Sequence, residues 1–180
     1  GKRKYTLSGA NEFEIASELN FPSYISFLSA LNYYGFSDDN SKNIFIATTK
    51  YSKDIYPFKY ITLSKKRFFG YTSIGKIVIA EKEKTIIDCL LFPKYAEGIK
   101  EVQKSLSKSI NFLDVKKLTD YALKTECRAV IRRLGFLLEK LGFKNLKDLK
   151  RSIGKGYELL DPTIEKKNNL NKQWLLDINI

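Results

Sequence analysis

Asp88 is the acidic residue of this 180-residue sequence that stands out for possible chemistry, because it lies inside the apolar run of residues 86–92 (IIDCLLF). Metal-dependent cleavage needs two or three carboxylates that converge, and the spacing of the acidic residues does not predict convergence. We therefore expect no metal site. The carboxylates considered are Asp38, Asp39, Asp54, Glu81, Glu83 and Asp88.

A buried carboxylate without a metal usually has a structural partner. We interpret Asp88 as an internal polar anchor that pairs with a buried Arg or with a helix N-terminus, and Arg132 and Arg133 are the natural partners to test. Glu83 is interpreted as a second anchor. A catalytic role of Asp88 with Glu83, in a metal-dependent nuclease or nucleotidyltransferase, is kept as the less favoured alternative.

The residue types that are missing exclude several classes of function. The sequence has no His, which excludes Ser–His and Cys–His nucleophile pairs, a His general base and His-ligated zinc. Cys89 and Cys127 are too few for a zinc cluster or a disulfide framework, so we expect both to be small core residues. The lack of a disulfide framework also favours an intracellular, cytoplasmic chain. No apolar run reaches the roughly 18–20 residues of a membrane span. These features predict a protein without a cofactor or catalytic centre.

Residues 70–76 (GYTSIGK) resemble the first seven positions of a phosphate-binding P-loop. A P-loop continues with Ser or Thr and then with a helix whose N-terminus faces the phosphate. Ile77 occupies the Ser/Thr position here, and a β-type segment follows it. The pattern therefore favours a hairpin connection over a P-loop.

Basic residues exceed acidic ones, with 32 Lys and Arg against 20 Asp and Glu and a formal charge of +12. Clusters of this kind are typical of surfaces that bind nucleic acids or acidic partners, although a solvated Lys-rich surface has the same composition. Lys65, Lys66 and Arg67 directly precede the aromatic residues Phe68 and Phe69. Lys144, Lys147 and Arg151 have the spacing of one helical face. Lys2, Arg3 and Lys4 resemble a wing that touches DNA.

Hydrophobic periodicity predicts an α+β fold, in which a small mixed β-sheet packs with helices and is followed by a helical C-terminal half and a closing strand. A capping-box pattern at Asn11 and Glu14 predicts the first helix, and a second helix is expected from Pro22 to Gly35. Further helices are expected near residues 82–92, 97–108, 114–124, 126–141 and 146–153. Strands are expected at residues 2–7, 43–49, 58–63, 76–80 and 174–180.

Residues 22–35 (PSYISFLSALNYYG) resemble a signature of the AbiEi family, the antitoxins and predicted transcriptional regulators of type IV (abortive-infection) toxin–antitoxin systems. Other segments that resemble this family follow in the same order over nearly the whole chain. They are residues 46–49 (IATT), 68–71 (FFGY), 79–90 (IAEKEKTIIDCL), 133–142 (RLGFLLEKLG), 160–162 (LDP) and the tail 174–180.

The resemblance implies a repressor with an N-terminal winged helix-turn-helix and a larger C-terminal antitoxin domain. Residues 1–9 would then be the remnant of the winged-helix region or a connecting strand, and residues 10–180 the antitoxin domain, with an α/β part (10–92) and a mainly helical part (93–180). The implied partners are operator DNA, bound through a winged helix missing from this chain, and a nucleotidyltransferase-like toxin neutralised without a stable complex. A general nucleic-acid-binding module is the alternative.

Overall fold

The computed structural model describes residues 12–39 and 41–180. Its larger sheet has six strands in the order β3-β4-β2-β1-β6-β5 and is mixed, because β1 runs parallel to β6 and β2 parallel to β4 while the other neighbours are antiparallel. The strands are β1 (Ser23–Ile25), β2 (Ile44–Thr48), β3 (Lys53–Ile55), β4 (Phe58–Thr62), β5 (Tyr71–Ile74) and β6 (Ile77–Ala80).

Seven α-helices accompany the sheet in the described part of the chain, and most of them follow it in sequence. They are α1 (Glu12–Leu19), α2 (Phe27–Tyr33), α3 (Lys82–Leu91), α4 (Ile99–Ser109), α5 (Val115–Lys124), α6 (Arg128–Lys140) and α7 (Lys147–Arg151). A three-stranded sheet of order β7-β9-β8 comes last, formed by β7 (Glu158–Leu159), β8 (Leu170–Asn171) and β9 (Leu176–Asp177). The α+β class is confirmed.

Alternation along the central strands gives the molecule two apolar clusters, one on each face of the large sheet. On β2, Phe45 and Ala47 belong to the larger cluster, whereas Ile44 and Ile46 belong to the smaller one. Side chains that alternate along a strand point to opposite faces of the sheet. The smaller cluster includes Ala16 of α1, and the larger one contains the buried faces of α2 to α6.

The C-terminal segment completes the larger cluster by packing on α6. Trp174 is fully buried, and its Nε1 donates a hydrogen bond to Glu139 Oε2 at 2.9 Å. A Cβ atom on Gly135 would overlap the Trp174 ring, so glycine is the residue that lets the indole lie against the helix. Thus α6 and the segment around Trp174 form one packed unit.

Several sequence predictions agree with these elements and others are wrong. The segments predicted at 43–49, 58–63 and 76–80 correspond to β2, β4 and β6, and the helix near 82–92 is α3. The helix expected from Pro22 is wrong at its start, because residues 23–25 pair with β2 and β6 as strand β1. Strands β3 and β5 were not predicted. The predicted strand at 2–7 and the cap at Asn11 lie outside the described residues.

The C-terminal half also departs in detail from the predicted pattern. The helix expected at 126–141 begins only at Arg128, and Cys127 precedes it as a half-buried residue. Cys89 is fully buried, as predicted for a core residue. The expected closing strand at 174–180 is reduced to β9, because only Leu176 and Asp177 pair with neighbouring strands.

Residues 70–76 form the hairpin that their sequence favours over a P-loop. Strands β5 and β6 are antiparallel, with Ile74 opposite Ile77, so a two-residue turn joins them. Gly75 in this turn has φ +60°, a backbone conformation that glycine adopts readily.

Candidate functional site

Asp88 lies on α3, and its fully buried carboxylate accepts hydrogen bonds from three side chains. Lys84, one turn earlier on α3, donates from Nζ to Asp88 Oδ1, while the hydroxyls of Tyr24 and Ser26 donate to Oδ2 at 3.0 and 2.8 Å. Lys84 Nζ also donates to Tyr24 Oη at 3.0 Å. Each of the four side chains is 0% exposed. We call these four residues the Asp88 network.

Electrostatics favours the protonated form of Tyr24 in the Asp88 network. Burial and the neighbouring Asp88 carboxylate raise the pKa of Tyr24 well above its ordinary value, so its hydroxyl stays protonated and can donate to Asp88. The Lys84 ammonium also lies 4.9 Å from the centre of the Phe69 ring, which adds a cation–π contact. The network is thus a fully buried ion pair inside the core.

The predicted pairing of Asp88 with Arg132 or Arg133 is wrong. Lys84 satisfies Asp88 instead, because residues four apart lie on the same side of a helix. Arg132 donates to the carbonyls of Ile153, at 2.6 and 2.9 Å, and Lys155, at 3.0 Å, and so holds the loop that follows α7. The sequence carried a signal for the real pair: Lys84 and Asp88 are the two charges spaced at i and i+4 in an otherwise apolar stretch of α3.

Glu83 fixes the start of α5 rather than any reacting group. Its Oε1 accepts a hydrogen bond from the Asp114 backbone N–H at 3.0 Å, and its Oε2 lies 3.3 Å from Lys117 Nζ. The same lysine lies 3.2 Å from Glu81 Oε2. Among the described residues, no group of three or more Cys, Asp and Glu is arranged to hold a metal ion.

The cluster Lys65–Arg67 forms a short 3-10 turn next to the connection between α5 and α6. Lys66 Nζ lies 2.8 Å from Glu126, which lowers the pKa of that carboxylate, and Arg67 Nε donates to the Thr125 carbonyl at 3.1 Å. Lys65 is exposed. Two of the three cations therefore tie this turn to the connection between α5 and α6.

The predicted basic stripe of Lys144, Lys147 and Arg151 does not lie on one helix. Helix α7 begins at Lys147, so Lys144 precedes it and only the other two share the helix. All three are exposed, and Arg151 lies 3.6 Å from Asp148. Lys2, Arg3 and Lys4 fall outside the described residues.

A cavity of about 410 Å³ brings together two residues that the sequence treated separately, Arg67 and Arg133. Lys94 supplies a third basic side chain, and Cys127 and Ala129 place the beginning of α6 at the same wall. Apolar walls come from Leu91, Phe92, Pro93 and Pro162, and Thr163 completes the lining. We call this space the cation cavity. Sequence reasoning missed it, because its walls are far apart in the chain and no local motif connects them.

Arg133 is a buried cation that makes no ion pair among the described residues. The side chain is 4% exposed, and its two terminal nitrogens donate to the carbonyls of Leu90 at 2.8 Å and Leu159 at 3.1 Å. Its Nε–H has no hydrogen-bond partner, and no carboxylate of the described residues lies within 4.0 Å of the guanidinium. Burial lowers the pKa of this group from its ordinary value.

Comparison with known proteins finds no match for this chain, either among models of protein families or among curated protein sequences. A membrane-spanning helix is also absent from residues 12–39 and 41–180, since none of the helices there is long and apolar enough. The functional conclusions below therefore rest on the sequence motifs and on the contacts their residues make.

Proposed function

We propose that this chain is the antitoxin domain of an AbiEi-like transcriptional regulator in a type IV toxin–antitoxin system. One observation carries the proposal: the two longest segments that resemble the family meet in a single buried network. Tyr24 and Ser26 come from residues 22–35, whereas Lys84 and Asp88 come from residues 79–90, more than 50 residues later. Motifs that together build one buried contact support the family resemblance better than matches scattered over unrelated surfaces.

Contacts between other segments of the motif set support the same proposal. The ring of Phe68, from residues 68–71, lies 4.9 Å from the ring of Tyr24. Gly135, from residues 133–142, packs against Trp174 of the C-terminal segment. The motifs therefore describe internal contacts of one fold, and the residues that act on a partner are expected elsewhere, on the surface.

The proposal divides the functions between two parts of a regulator. Operator recognition is assigned to a winged helix-turn-helix that would precede this chain, and neutralisation of a nucleotidyltransferase-like toxin is assigned to the chain itself. No catalytic step is assigned to it, and the site of action would be the cytoplasm. Since the resemblance implies neutralisation without a stable complex, the readout of a test should be growth and not co-purification.

The decisive experiment is co-expression of this chain with the toxin encoded by the neighbouring gene. We expect the chain to restore growth that the toxin alone arrests. Asp88→Leu serves as the control, because it leaves Lys84 buried without its counter-charge and should lower both the stability of the chain and its protection of growth. Continued arrest in the presence of folded, soluble wild-type chain would disprove the antitoxin function.

A further inference from the structure

The cation cavity is lined by a buried guanidinium, that of Arg133, which makes no ion pair within 4.0 Å among the described residues. A buried charge is costly unless it is paired, and a removed or missing partner normally makes it strongly destabilising. Arg133 nevertheless lines the cavity with two carbonyl acceptors, no carboxylate and an unpartnered Nε–H. The Nε atom is itself inaccessible to solvent, but each terminal nitrogen makes one of these bonds and keeps a second N–H that can donate to an anion.

The other polar groups at the cavity have the same sign. Arg67 uses only its Nε in the bond to Thr125, and no partner among the described residues takes its two terminal nitrogens. Lys94 is exposed at the rim with its ammonium 4.8 Å from the Tyr95 ring centre, and it forms no ion pair with the described residues. Three cationic side chains around one space favour a ligand with more than one negative charge.

The N-terminus of α6 adds backbone donors to the same wall. The first-turn amides of an α-helix have no partner within the helix, and no side chain caps them here, because Cys127 forms no capping hydrogen bond. Ala129, the second residue of this 13-residue helix, lines the cavity. Unpaired amides and the positive end of the helix dipole are the donors that bind phosphate in many proteins.

Three acidic residues act on the cations of the cavity, Glu158 and Asp161 on Arg133 and Glu126 on Arg67. Glu126 is paired with Lys66 at 2.8 Å. The carboxylate of Asp161 accepts hydrogen bonds from the Ile99 N–H at 2.7 Å and from the Thr163 N–H and hydroxyl at 2.9 and 2.6 Å. These donors engage both carboxylate oxygens. The carboxylate oxygens of Asp161 thus face the start of α4, at Ile99, and the turn that contains Thr163.

The remaining walls suit the organic part of a ligand. Phe92, Pro93 and Pro162 present apolar surface beside the cations, and a volume of about 410 Å³ lies in the range of small-molecule sites. Aromatic and proline surfaces pack well against the flat face of a nucleobase, since every base has a π-face. An inorganic ion would leave these apolar walls without a partner.

We propose that the cation cavity binds a nucleoside monophosphate, with the phosphate between Arg67, Arg133 and the N-terminus of α6 and the base on the apolar wall around Phe92. Lys94 adds long-range attraction at the rim. This binding function does not depend on the antitoxin role, so each can fail while the other holds.

The test is titration calorimetry of the full 180-residue chain at about 0.15 M salt, with AMP, GMP, CMP and UMP as probes. Their nucleosides and inorganic phosphate are measured beside them. We expect at least one monophosphate to bind at concentrations below about 1 mM and clearly more tightly than its nucleoside or phosphate alone. Equal or tighter binding of inorganic phosphate, or no binding of any monophosphate, would overturn the proposal.

Variants locate the binding in the cavity. Arg67→Gln removes charge-assisted hydrogen bonds and should weaken binding about tenfold or more, whereas Arg151→Gln, an exposed arginine outside the cavity, should leave it unchanged. Ala129→Glu should abolish binding, although a carboxylate in the first turn is favourable for the helix and should preserve folding, checked by circular dichroism. Wild-type affinity in both cavity variants would refute the site, as would binding only of a 5′-phosphorylated tetranucleotide.

Discussion

The Asp88 network and the cation cavity are two polar regions beside the same core, and they treat a buried charge in opposite ways. In the network, Lys84 and Asp88 neutralise each other, and the hydroxyls of Tyr24 and Ser26 satisfy the remaining carboxylate oxygen. In the cavity, the terminal nitrogens of Arg133 donate only to backbone carbonyls, and its Nε–H has no hydrogen-bond partner. Both regions are almost inaccessible to water at these groups.

This difference separates a structural role from a binding role. A charge that is fully paired inside the protein gains nothing from an added ligand and loses much when its partner is removed. A charge that the protein leaves unpaired has the opposite response, because an external anion completes it. Substitutions in the Asp88 network are therefore expected to affect mainly stability, and substitutions in the cation cavity mainly ligand binding.

The largest effect is expected when the Asp88 network loses its acid. Asp88→Leu leaves the Lys84 ammonium buried without a counter-charge, so we expect the free energy of unfolding to fall by about 3–5 kcal/mol in urea titrations. The double variant Lys84→Met with Asp88→Leu removes both charges and should recover most of that loss. A single variant as stable as wild type would show that water or a rearranged side chain already satisfies Lys84.

A smaller loss is expected for Tyr24→Phe, which takes one donor from Asp88 and one acceptor from Lys84. The cost should be about 1–3 kcal/mol at neutral pH, the range for leaving buried partners unsatisfied. The comparison is made by chemical unfolding of wild type and variant at the same pH.

This variant also tests the pKa of Tyr24. An unfolded tyrosine has a pKa of about 10, and the folded value is raised well above it, so the folded protein holds this proton more tightly. The resulting stabilisation is complete below about pH 10 and is lost as the pH rises above 10. The advantage of wild type over Tyr24→Phe should therefore be constant below about pH 10 and shrink as the pH rises above it. Tyr34, Tyr60 and Tyr121, whose pKa values are raised to about 12, contribute equally to both proteins.

Replacing Arg133 should cost less than either change in the network. Arg133→Met leaves the carbonyls of Leu90 and Leu159 without these donors, but it also removes a buried unpaired charge, so we expect a net loss of about 1 kcal/mol or less. A monophosphate that binds the wild type should raise its melting temperature and leave that of the variant unchanged. A loss as large as that of Asp88→Leu would place Arg133 among the purely structural anchors.

The smallest effect is expected at the exposed basic residues in α7 and just before it. Charge reversal of Lys144, Lys147 and Arg151 should change the free energy of unfolding by less than about 0.5 kcal/mol, because all three are exposed. The same variant tests the alternative of a general nucleic-acid-binding module. If that module exists and uses these residues, wild-type affinity for DNA falls steeply with salt and the variant loses that affinity.

The sequence predicted the α+β class and most of the elements with clear periodicity, such as α3 and the strands β2, β4 and β6. It failed at Ser23–Ile25, because a short run directly before a helix is compatible with both helix and strand. Pairing with β2 and β6 makes this run a strand. Sequence reasoning also missed the edge strands β3 and β5, because none of their residues is buried and their sequences therefore show no alternation of buried and exposed positions.

For the sites, sequence reasoning identified Asp88 as a buried acid but assigned it the wrong partner. The i,i+4 spacing of Lys84 was available and would have corrected this. The cation cavity could not be foreseen, because Arg67 and Arg133 approach only after α3, α6 and the segment around Pro162 have packed together.

The packing of Trp174 against Gly135 gives the protein an intrinsic optical reporter. Trp174 is the single tryptophan of the chain, whereas the 11 tyrosines are spread from residue 5 to residue 157. Its emission therefore reports one event, the docking of the C-terminal segment on α6. Comparing tryptophan fluorescence with far-ultraviolet circular dichroism during unfolding would show whether the C-terminal segment separates before the sheet or together with it.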